Sequence, residues 1–263
     1  MKDLILITGA SSGIGQELAR VLAAKKYNLI IAARSIEKLQ ALKEELQTQY
    51  GVQVYVFQKD LAQAGAAQAL YHDIRQQGLE VTMLVNNAGS GLYGNFSDTD
   101  LEAELRMMQL NMSSLVVLTK LFLQDMLVRK QGRIMQVASL LAFLPFPYYS
   151  VYSATKSFVL AFSETLDAEL EGTGVTVTTL CPGPVDTPFN TDAMWKTKAY
   201  RSNKPIPASV VATQGAALLL GGRGKKMVGF NNLFISQLPR ITPSAIMMKI
   251  KKSLASQQKH VVS

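Results

Sequence analysis

The fold is decided by residues 4–22, which read LILITGASSGIGQELARVL. The first four residues are an apolar run typical of a buried strand, and residues 16–22 follow a helical pattern. Small residues that suit an anion site separate them: Gly9, Ser11, Ser12, Gly13 and Gly15. Glycines let the backbone approach a phosphate, and the free N–H groups of a helix start point toward it. The stretch therefore predicts a nucleotide-binding turn. The alternative is a tight strand-to-helix turn without a ligand.

Composition favours a globular protein with an anionic partner. The chain has 263 residues, of which 48% are hydrophobic and 17% charged, with a formal net charge of +8. Such a charge fits phosphate cofactors, acidic carriers, membrane surfaces or nucleic acid, and does not choose among them. The single cysteine, Cys181, excludes an internal disulfide and a cysteine metal cluster. We expect it to be a small buried residue, since no histidine accompanies it. No metal site is expected.

Strand and helix patterns alternate along the whole chain. Apolar runs predict strands near residues 4–7, 27–34, 52–57, 82–85, 133–139 and 175–180, and a last short strand is expected near residues 227–230. This alternation predicts one α/β domain over residues 1–263. Its form is a doubly wound Rossmann fold, a mostly parallel seven-stranded sheet with helices on both faces. Residues 134–155 carry no charge, but Pro145 and Pro147 break them, so no transmembrane span is expected. Without a secretory signal, we expect a soluble cytoplasmic protein.

The end of the second strand indicates which dinucleotide would bind. In dinucleotide-binding folds an acid there favours NAD, whereas an arginine accommodates the 2′-phosphate of NADP. Ala33 and Arg34 stand there without a neighbouring acid. We therefore expect NADP(H) to be favoured over NAD(H), with Arg34 pairing with the phosphate. The alternative is a solvated arginine at a strand end.

A second group of residues suits proton transfer. Tyr152 and Lys156 are four residues apart in a helical pattern, so both project from one face. An ammonium near a phenol lowers its pKa from about 10, which makes Tyr152 a candidate general acid/base. Ser139 ends the fifth strand, and Asn111 lies inside a long helical pattern over residues 100–129, where its low helix propensity needs a reason.

Three motifs together resemble the short-chain dehydrogenase/reductase family, in its NADP-preferring type. They are T-G-x-x-x-G-x-G at residues 8–15, N-N-A-G at residues 86–89 and Y-x-x-x-K at residues 152–156. The resemblance covers roughly residues 3–230. It implies that Tyr152 is the general acid/base, that Lys156 activates it and anchors the ribose, and that Ser139 orients the substrate oxygen. It also implies that Asn111 orders a water at a local break in its helix.

The same resemblance implies a set of cofactor-binding residues. They are Gly9, Ser11, Ser12, Gly13, Ile14, Gly15, Arg34, Asp60, Leu61, Asn87, Ala88, Gly89, Tyr152, Lys156, Pro182, Gly183, Val185 and Thr187. Within this set, Asp60 would contact the adenine edge, although it could also cap the next helix. The asparagines would hold the central sheet together by side-chain hydrogen bonds.

A lid and a pocket lining are assigned to the substrate, and a tail helix is expected at the C-terminal end. Residues 187–208 mix aromatic and basic side chains and are expected to form a mobile lid. Residues 240–263 are expected to hold a tail helix with Ile246, Ile250 and Leu254 on one face, which packs on the domain or a subunit or, alternatively, lies on a membrane surface. A lipophilic pocket lining is expected from residues 140–149 with Leu92, Tyr93, Phe96, Phe189 and Trp195.

The implied reaction is reversible hydride transfer between NADP(H) and a carbonyl or secondary alcohol, and the lining favours a lipophilic substrate. The tail is faintly similar to the branch that includes ketoacyl reductases. Two alternatives remain, an epimerase or dehydratase that uses the same Tyr152–Lys156 chemistry and a non-catalytic NADP-sensing regulator. The small-molecule carbonyl or alcohol is the expected partner. A homodimer or homotetramer is expected from the family, and no nucleic-acid binding is expected.

Overall fold

The computed structural model describes residues 3–190 and 192–256. The first half of the chain comprises β1 (Leu4–Thr8), α1 (Gly13–Ala24), β2 (Asn28–Ala33), α2 (Ile36–Tyr50), β3 (Val54–Gln58), α3 (Ala66–Gln76), β4 (Met83–Asn86), α4 (Leu101–Met108) and α5 (Ser114–Arg129). The second half comprises β5 (Gly132–Val137), α6 (Ser150–Glu169), β6 (Val175–Cys181), β7 (Val185–Asp186), α7 (Asp192–Trp195), α8 (Lys198–Ser202), β8 (Ile206–Pro207), α9 (Ala208–Gly221), β9 (Gly224–Met227), α10 (Phe230–Ile241) and α11 (Ser244–Ala255).

The main sheet has seven strands in the order β3-β2-β1-β4-β5-β6-β9, and every pair of neighbours is parallel. The predicted doubly wound α/β fold is confirmed. The strand order reverses between β1 and β4. In open α/β sheets, ligands bind beyond the carboxyl ends of the strands at this crevice. The glycine-rich turn follows β1 and the N-N-A-G segment follows β4, so both motifs lie at its edge.

Each face of the sheet buries its own apolar core. Because side chains alternate along a strand, Ile5 and Ile7 of β1 join the core covered by α1, α2 and α9. Leu4 and Leu6 join the core covered by α3, α5 and α6. Strands buried on both faces read as continuous apolar runs, which explains why β1 was visible in the sequence. Cys181, at the end of β6, is fully buried as predicted.

The long helical pattern over residues 100–129 is interrupted at the position of Asn111. Residues Gln109–Ser113 form a π-helical turn between α4 and α5. Such turns widen the backbone spacing by one residue and re-aim the side chains that follow. The local break expected at Asn111 is therefore confirmed.

Two local predictions were wrong. The last strand is β9, three residues before the expected position at residues 227–230, because Lys225 and Lys226 occupy an exposed edge strand where apolar patterning is weak. Asp60 does not cap α3, which begins after Gly65. Its carboxylate instead accepts a hydrogen bond from the Ala62 N–H at 3.1 Å.

The tail differs from its predicted register. The face of α11 that packs on the domain carries Met247, Lys251 and Ala255, whereas Ile246 is 53% exposed. Sequence hydropathy misses this face because a lysine stem is apolar and can be buried. Residues 257–263 of the predicted tail and Thr191 of the predicted lid lie outside the described residues. The described part of residues 187–208 holds α7, α8 and β8, and its mobility stays a prediction.

Among residues 3–190 and 192–256, no helix combines the length and apolar character that crossing a bilayer requires.

Candidate active site

The turn after β1 is shaped for close backbone approach. Gly9 has φ +68°, which L side chains rarely adopt. At Gly15, an added Cβ would lie 2.4 Å from the Gly9 carbonyl oxygen and 2.5 Å from Asn87 Nδ2. Glycine is therefore required at both places by geometry. The turn leads into the N-terminus of α1, whose first-turn N–H groups are suited to a phosphate.

The N-N-A-G segment is tied to this turn by side-chain hydrogen bonds. Asn87 Nδ2 donates to the Thr8 carbonyl at 2.9 Å, and the Thr8 hydroxyl accepts from the N–H groups of Asn87 at 3.1 Å and Ala88 at 3.0 Å. Asn87 thus ties the end of β1 to the segment after β4, as expected, whereas Asn86 Nδ2 donates to Thr119 of α5. The sequence reading missed Thr8, although its position at the end of β1 was the available signal.

One cavity of about 910 Å³ runs from the glycine turn across the carboxyl edge of the sheet to α11. It is lined by Ser139 and by all but one of the predicted cofactor residues, namely Gly9, Ser11, Ser12, Gly13, Ile14, Arg34, Asp60, Leu61, Asn87, Ala88, Gly89, Tyr152, Lys156, Pro182, Gly183, Val185 and Thr187. The exception is Gly15, which lies behind the turn as a packing residue. Asn111 also lies outside the lining, buried beneath it.

Tyr152, Lys156 and Ser139 converge inside this cavity. Tyr152 and Lys156 project from the same face of α6 and are 9% and 5% exposed. Lys156 Nζ donates to the Val137 carbonyl at 2.9 Å and lies 5.9 Å from the centroid of the Tyr152 ring. Ser139, just after β5, lies near enough to the Tyr152 hydroxyl for its side chain to lower the pKa of the phenol. The structure thus brings together the predicted proton donor, its cation and the serine.

The direction of the tyrosine pKa shift differs from the prediction. Burial raises the pKa of Tyr152 to about 12, and the hydrogen bond with Ser139 lowers it only in part. Burial also lowers the pKa of the Lys156 ammonium to about 8. The Lys156 ammonium is hydrogen-bonded to the Val137 carbonyl rather than to the phenol. Near neutral pH the phenol is therefore protonated and able to donate a proton.

Asn111 is fixed at the π-helical turn by three hydrogen bonds. Its Oδ1 accepts from the Ser90 N–H at 3.0 Å, and its Nδ2 donates to the Ser90 carbonyl and to the Thr155 hydroxyl, each at 3.0 Å. These bonds join the loop after β4 to α6, one residue before Lys156. The sequence reading missed Thr155. Asn111 Oδ1 and Lys156 Nζ both lie near Gly89. The role of Asn111 in ordering a water stays a prediction.

At the end of the cavity beside β2 and β3, Arg34 is a cationic group without an ion pair to any described residue. Its side chain is exposed at the end of β2. Asp60, at the end of β3, forms an ion pair with Arg106 of α4 at 2.9 Å. Arg106 was not identified from the sequence, because residues from separate elements meet here only in the fold. The expected contact of Asp60 with adenine stays a prediction.

The apolar end of the cavity contains only part of the lining expected from the sequence. The predicted residues that line it are Leu92, Leu140, Leu141, Leu144, Phe146, Tyr149 and Phe189. Phe96 is 67% exposed, Tyr93 and Trp195 lie outside the lining, and Phe143 packs against Lys225 instead. Apolar residues from the C-terminal helices were missed, because their approach to the site depends on tertiary packing: Ile235, Leu238, Met247, Ile250 and Leu254.

The sequence matches known proteins over most of its length. The family profile described as short chain dehydrogenase matches residues 3–197. The chain is 36% identical over 206 residues to rat 17-beta-hydroxysteroid dehydrogenase type 3, covering 75% of this chain and 66% of that protein. It is 33% identical over 260 residues to the very-long-chain 3-oxoacyl-CoA reductase of Anas platyrhynchos, covering 96% and 81%. The matches to mouse, rat, bovine and human relatives span about 60–66% of their lengths.

Solved structures share the fold. A 7beta-hydroxysteroid dehydrogenase superposes with a TM-score of 0.82 at 23% identity, covering 95% of this chain and 96% of that one. A short-chain dehydrogenase from Sphingobium yanoikuyae, in complex with NADPH, gives a TM-score of 0.78 at 25% identity, covering 92% and 97%. With the profile match extending over three quarters of the residues, the chain belongs to the short-chain dehydrogenase/reductase family.

Proposed function

We propose that the protein is an NADP(H)-dependent oxidoreductase that interconverts a lipophilic carbonyl compound and its secondary alcohol. One observation carries the proposal. The protonated Tyr152 phenol, the Lys156 ammonium and the Ser139 hydroxyl meet in the same cavity as the glycine turn and Arg34. A proton donor and a dinucleotide site that share one cavity suit carbonyl reduction.

The residues divide the proton chemistry among themselves. Ser139 and Tyr152 would both hydrogen-bond the substrate oxygen, and Tyr152 would donate its proton as negative charge develops there. Lys156 supplies the nearest positive charge, which stabilises the resulting phenolate. A bound nicotinamide supplies the hydride. The buried surroundings of Tyr152 keep water away from the reacting oxygen.

The glycine turn fits a dinucleotide, and Arg34 supports NADP(H). The turn packs so closely on the N-N-A-G segment that a Cβ at Gly9 would lie 2.8 Å from Ala88 Cα, and Gly9, Ser11, Ser12 and Gly13 line the cavity. Arg34 offers a guanidinium with no competing carboxylate among the described residues, which suits a 2′-phosphate. Relatives in complexes with NADPH, such as the Sphingobium yanoikuyae dehydrogenase, add support.

The lipophilic substrate is supported by the lining beyond Tyr152. Phe189 packs on the Tyr152 ring at a centroid distance of 5.7 Å, and Met107 and Met194 are buried beside it. Apolar pockets of this kind gain affinity from the area that a substrate removes from water. Relatives named for hydroxysteroids and very-long-chain 3-oxoacyl-CoA are consistent with such a substrate.

The epimerase, dehydratase and regulatory alternatives remain secondary, because the proton donor, its cation and the cofactor turn are all present. Apolar side chains exposed on α4, α5 and α6 support assembly into a homodimer or homotetramer: Leu101, Leu105, Val128 and Phe158. The cytoplasmic location and membrane contact through the tail remain predictions.

The proposal is tested by NADPH oxidation with a panel of aryl and alkyl ketones of increasing length. We expect turnover that favours the longer ketones, and Tyr152→Phe should lower kcat by about 10²–10⁴-fold. Tyr55→Phe, a half-buried phenol on β3 outside the cavity, is the matched control and should keep full activity. The absence of turnover with any ketone, or full activity of Tyr152→Phe, would contradict the proposal.

A further inference from the structure

The C-terminal helix α11 places a lysine where its stem is buried against the domain. Lys251 is 7% exposed, on the same face as Met247 and Ala255. Its neighbours along the helix differ from it, since Lys249 and Lys252 are exposed. Lys251 lines the large cavity that also holds Tyr152.

The Lys251 ammonium has no partner in the described protein. No carboxylate or carbonyl among residues 3–190 and 192–256 pairs with it, and burial alone lowers its pKa. Of the described side chains that line the cavity from residue 199 onward, Lys251 alone carries a charge. The Lys251 stem is buried and its ammonium lines the cavity without an ion pair to a described residue, so an anionic ligand in the cavity would supply the missing partner.

A second unsatisfied donor lies at the same end of the cavity. The Tyr149 hydroxyl is buried and has no hydrogen-bond partner. Its ring packs on that of Tyr93 at a centroid distance of 5.0 Å, and the Tyr93 hydroxyl donates to the Ala255 carbonyl at 2.8 Å. Ala255 is one helical turn from Lys251, about 6 Å along the axis. Tyr149 and Lys251 are thus connected through Tyr93 and α11, and both line the cavity.

This region is close to the reacting centre. The Tyr149 and Tyr152 rings are 6.3 Å apart between centroids. The neighbouring phenol of Tyr200 is already engaged, because it donates to Asn190 Oδ1. Tyr149 contributes a hydroxyl and Lys251 an ammonium to this part of the lining, among apolar side chains such as Ile250 and Leu254.

We propose that Lys251 and Tyr149 bind a carboxylate group carried by the lipophilic carbonyl substrate. The inference rests on the proposed function and narrows its substrate class to oxo acids or hydroxy acids. Two donors match the two oxygens of a carboxylate, whereas a phosphate dianion would require more. The apolar walls hold the chain between the carboxylate and the carbonyl.

Binding of decanoate and decan-1-ol, measured by isothermal titration calorimetry on the purified protein, tests the inference without turnover. We expect the wild type to bind decanoate more tightly than decan-1-ol. Lys251→Met preserves the length and apolar stem of the side chain. It should weaken the binding of decanoate at least about tenfold and change the binding of decan-1-ol less than about twofold. Lys252→Met, an exposed lysine on the same helix, is the matched control.

Tyr149→Phe provides an independent second variant, which should also weaken decanoate selectively. Unchanged decanoate binding in both variants, or an equal loss of decanoate and decan-1-ol, overturns the inference. The kinetic arm compares NADPH-dependent reduction of 10-oxoundecanoate and its methyl ester. If the wild type and Lys251→Met reduce each compound with the same KM, this inference is contradicted and the proposed function is not. Selective decanoate binding without any ketone reduction contradicts the proposed function alone.

Discussion

At the reacting centre, burial shifts two ionisable groups in opposite directions. It raises the pKa of Tyr152 to about 12 and lowers that of Lys156 to about 8. The Lys156 ammonium is therefore present below about pH 8 and lost above it, while the phenol stays protonated through the same range. Proton donation to the carbonyl would leave Tyr152 as a phenolate. Lys156 stabilises this anion only in its cationic form.

The expected consequence is a pH profile with one break. The kcat/KM for ketone reduction should be flat below about pH 8 and should fall about tenfold per pH unit above it. Stopped assays with NADPH between about pH 6 and 10 measure this directly. Lys156→Met should be slow at every pH, without the break. A wild-type profile that stays flat across the whole range would refute the role of the ammonium.

We expect a second residue, Arg34, to set the cofactor preference. Its guanidinium is exposed at the end of β2 and pairs with no described carboxylate, so a 2′-phosphate would be its natural partner. Arg34→Ala should raise the KM for NADPH about 10–100-fold and leave that for NADH within about twofold. Lys38→Ala, an exposed residue on α2 outside the cavity, serves as the control. Equal effects on both cofactors would remove Arg34 from the site.

At the scale of elements, α5 is bonded to the sheet beneath the site. The Thr119 hydroxyl of α5 accepts from Asn86 Nδ2 of β4 at 3.0 Å and from Gln136 Nε2 of β5 at 2.8 Å. Asn86 Oδ1 and Gln136 Oε1 have no partner, so these amides depend on Thr119 for the bonds that they do make.

Removing that hydroxyl should therefore cost stability. Thr119→Val keeps the shape and leaves two buried amides without an acceptor, so the free energy of unfolding should fall by about 1–3 kcal/mol. Urea unfolding followed by circular dichroism measures it. Thr213→Val, on the exposed side of α9, should change the value by less than about 0.5 kcal/mol. If Thr119→Val also lowered the free energy of unfolding by less than about 0.5 kcal/mol, the Asn86 and Gln136 amides would have found other partners.

Elements with strong local signals were predictable from the sequence. β1 reads as a continuous apolar run because both its faces are buried, and Asn111 marks the π-helical turn because asparagine is unfavourable inside a helix. β9 was misplaced, since Lys225 and Lys226 carry no apolar signal at a sheet edge. The buried face of α11 was also missed, because its lysine is apolar only along the stem.

At the scale of the whole molecule, the cavity joins segments that are far apart in the chain. The candidate site residues that follow a strand or open a helix could be predicted, because parallel strands place those ends at one edge. The Lys156 partner Val137, the Asp60 partner Arg106 and the approach of α11 could not be predicted. These contacts depend on how the helices pack on the sheet, which local sequence patterns do not encode.

The central claim, hydride transfer to a carbonyl, is tested most directly by following a label. NADPH carrying deuterium at C4, prepared separately with the label on each face, is incubated with the protein and a long-chain ketone. We predict that one of the two samples yields an alcohol with deuterium on its carbinol carbon, detected by mass spectrometry, and that Tyr152→Phe suppresses it. An alcohol without deuterium from either sample, or no alcohol at all, would contradict the account.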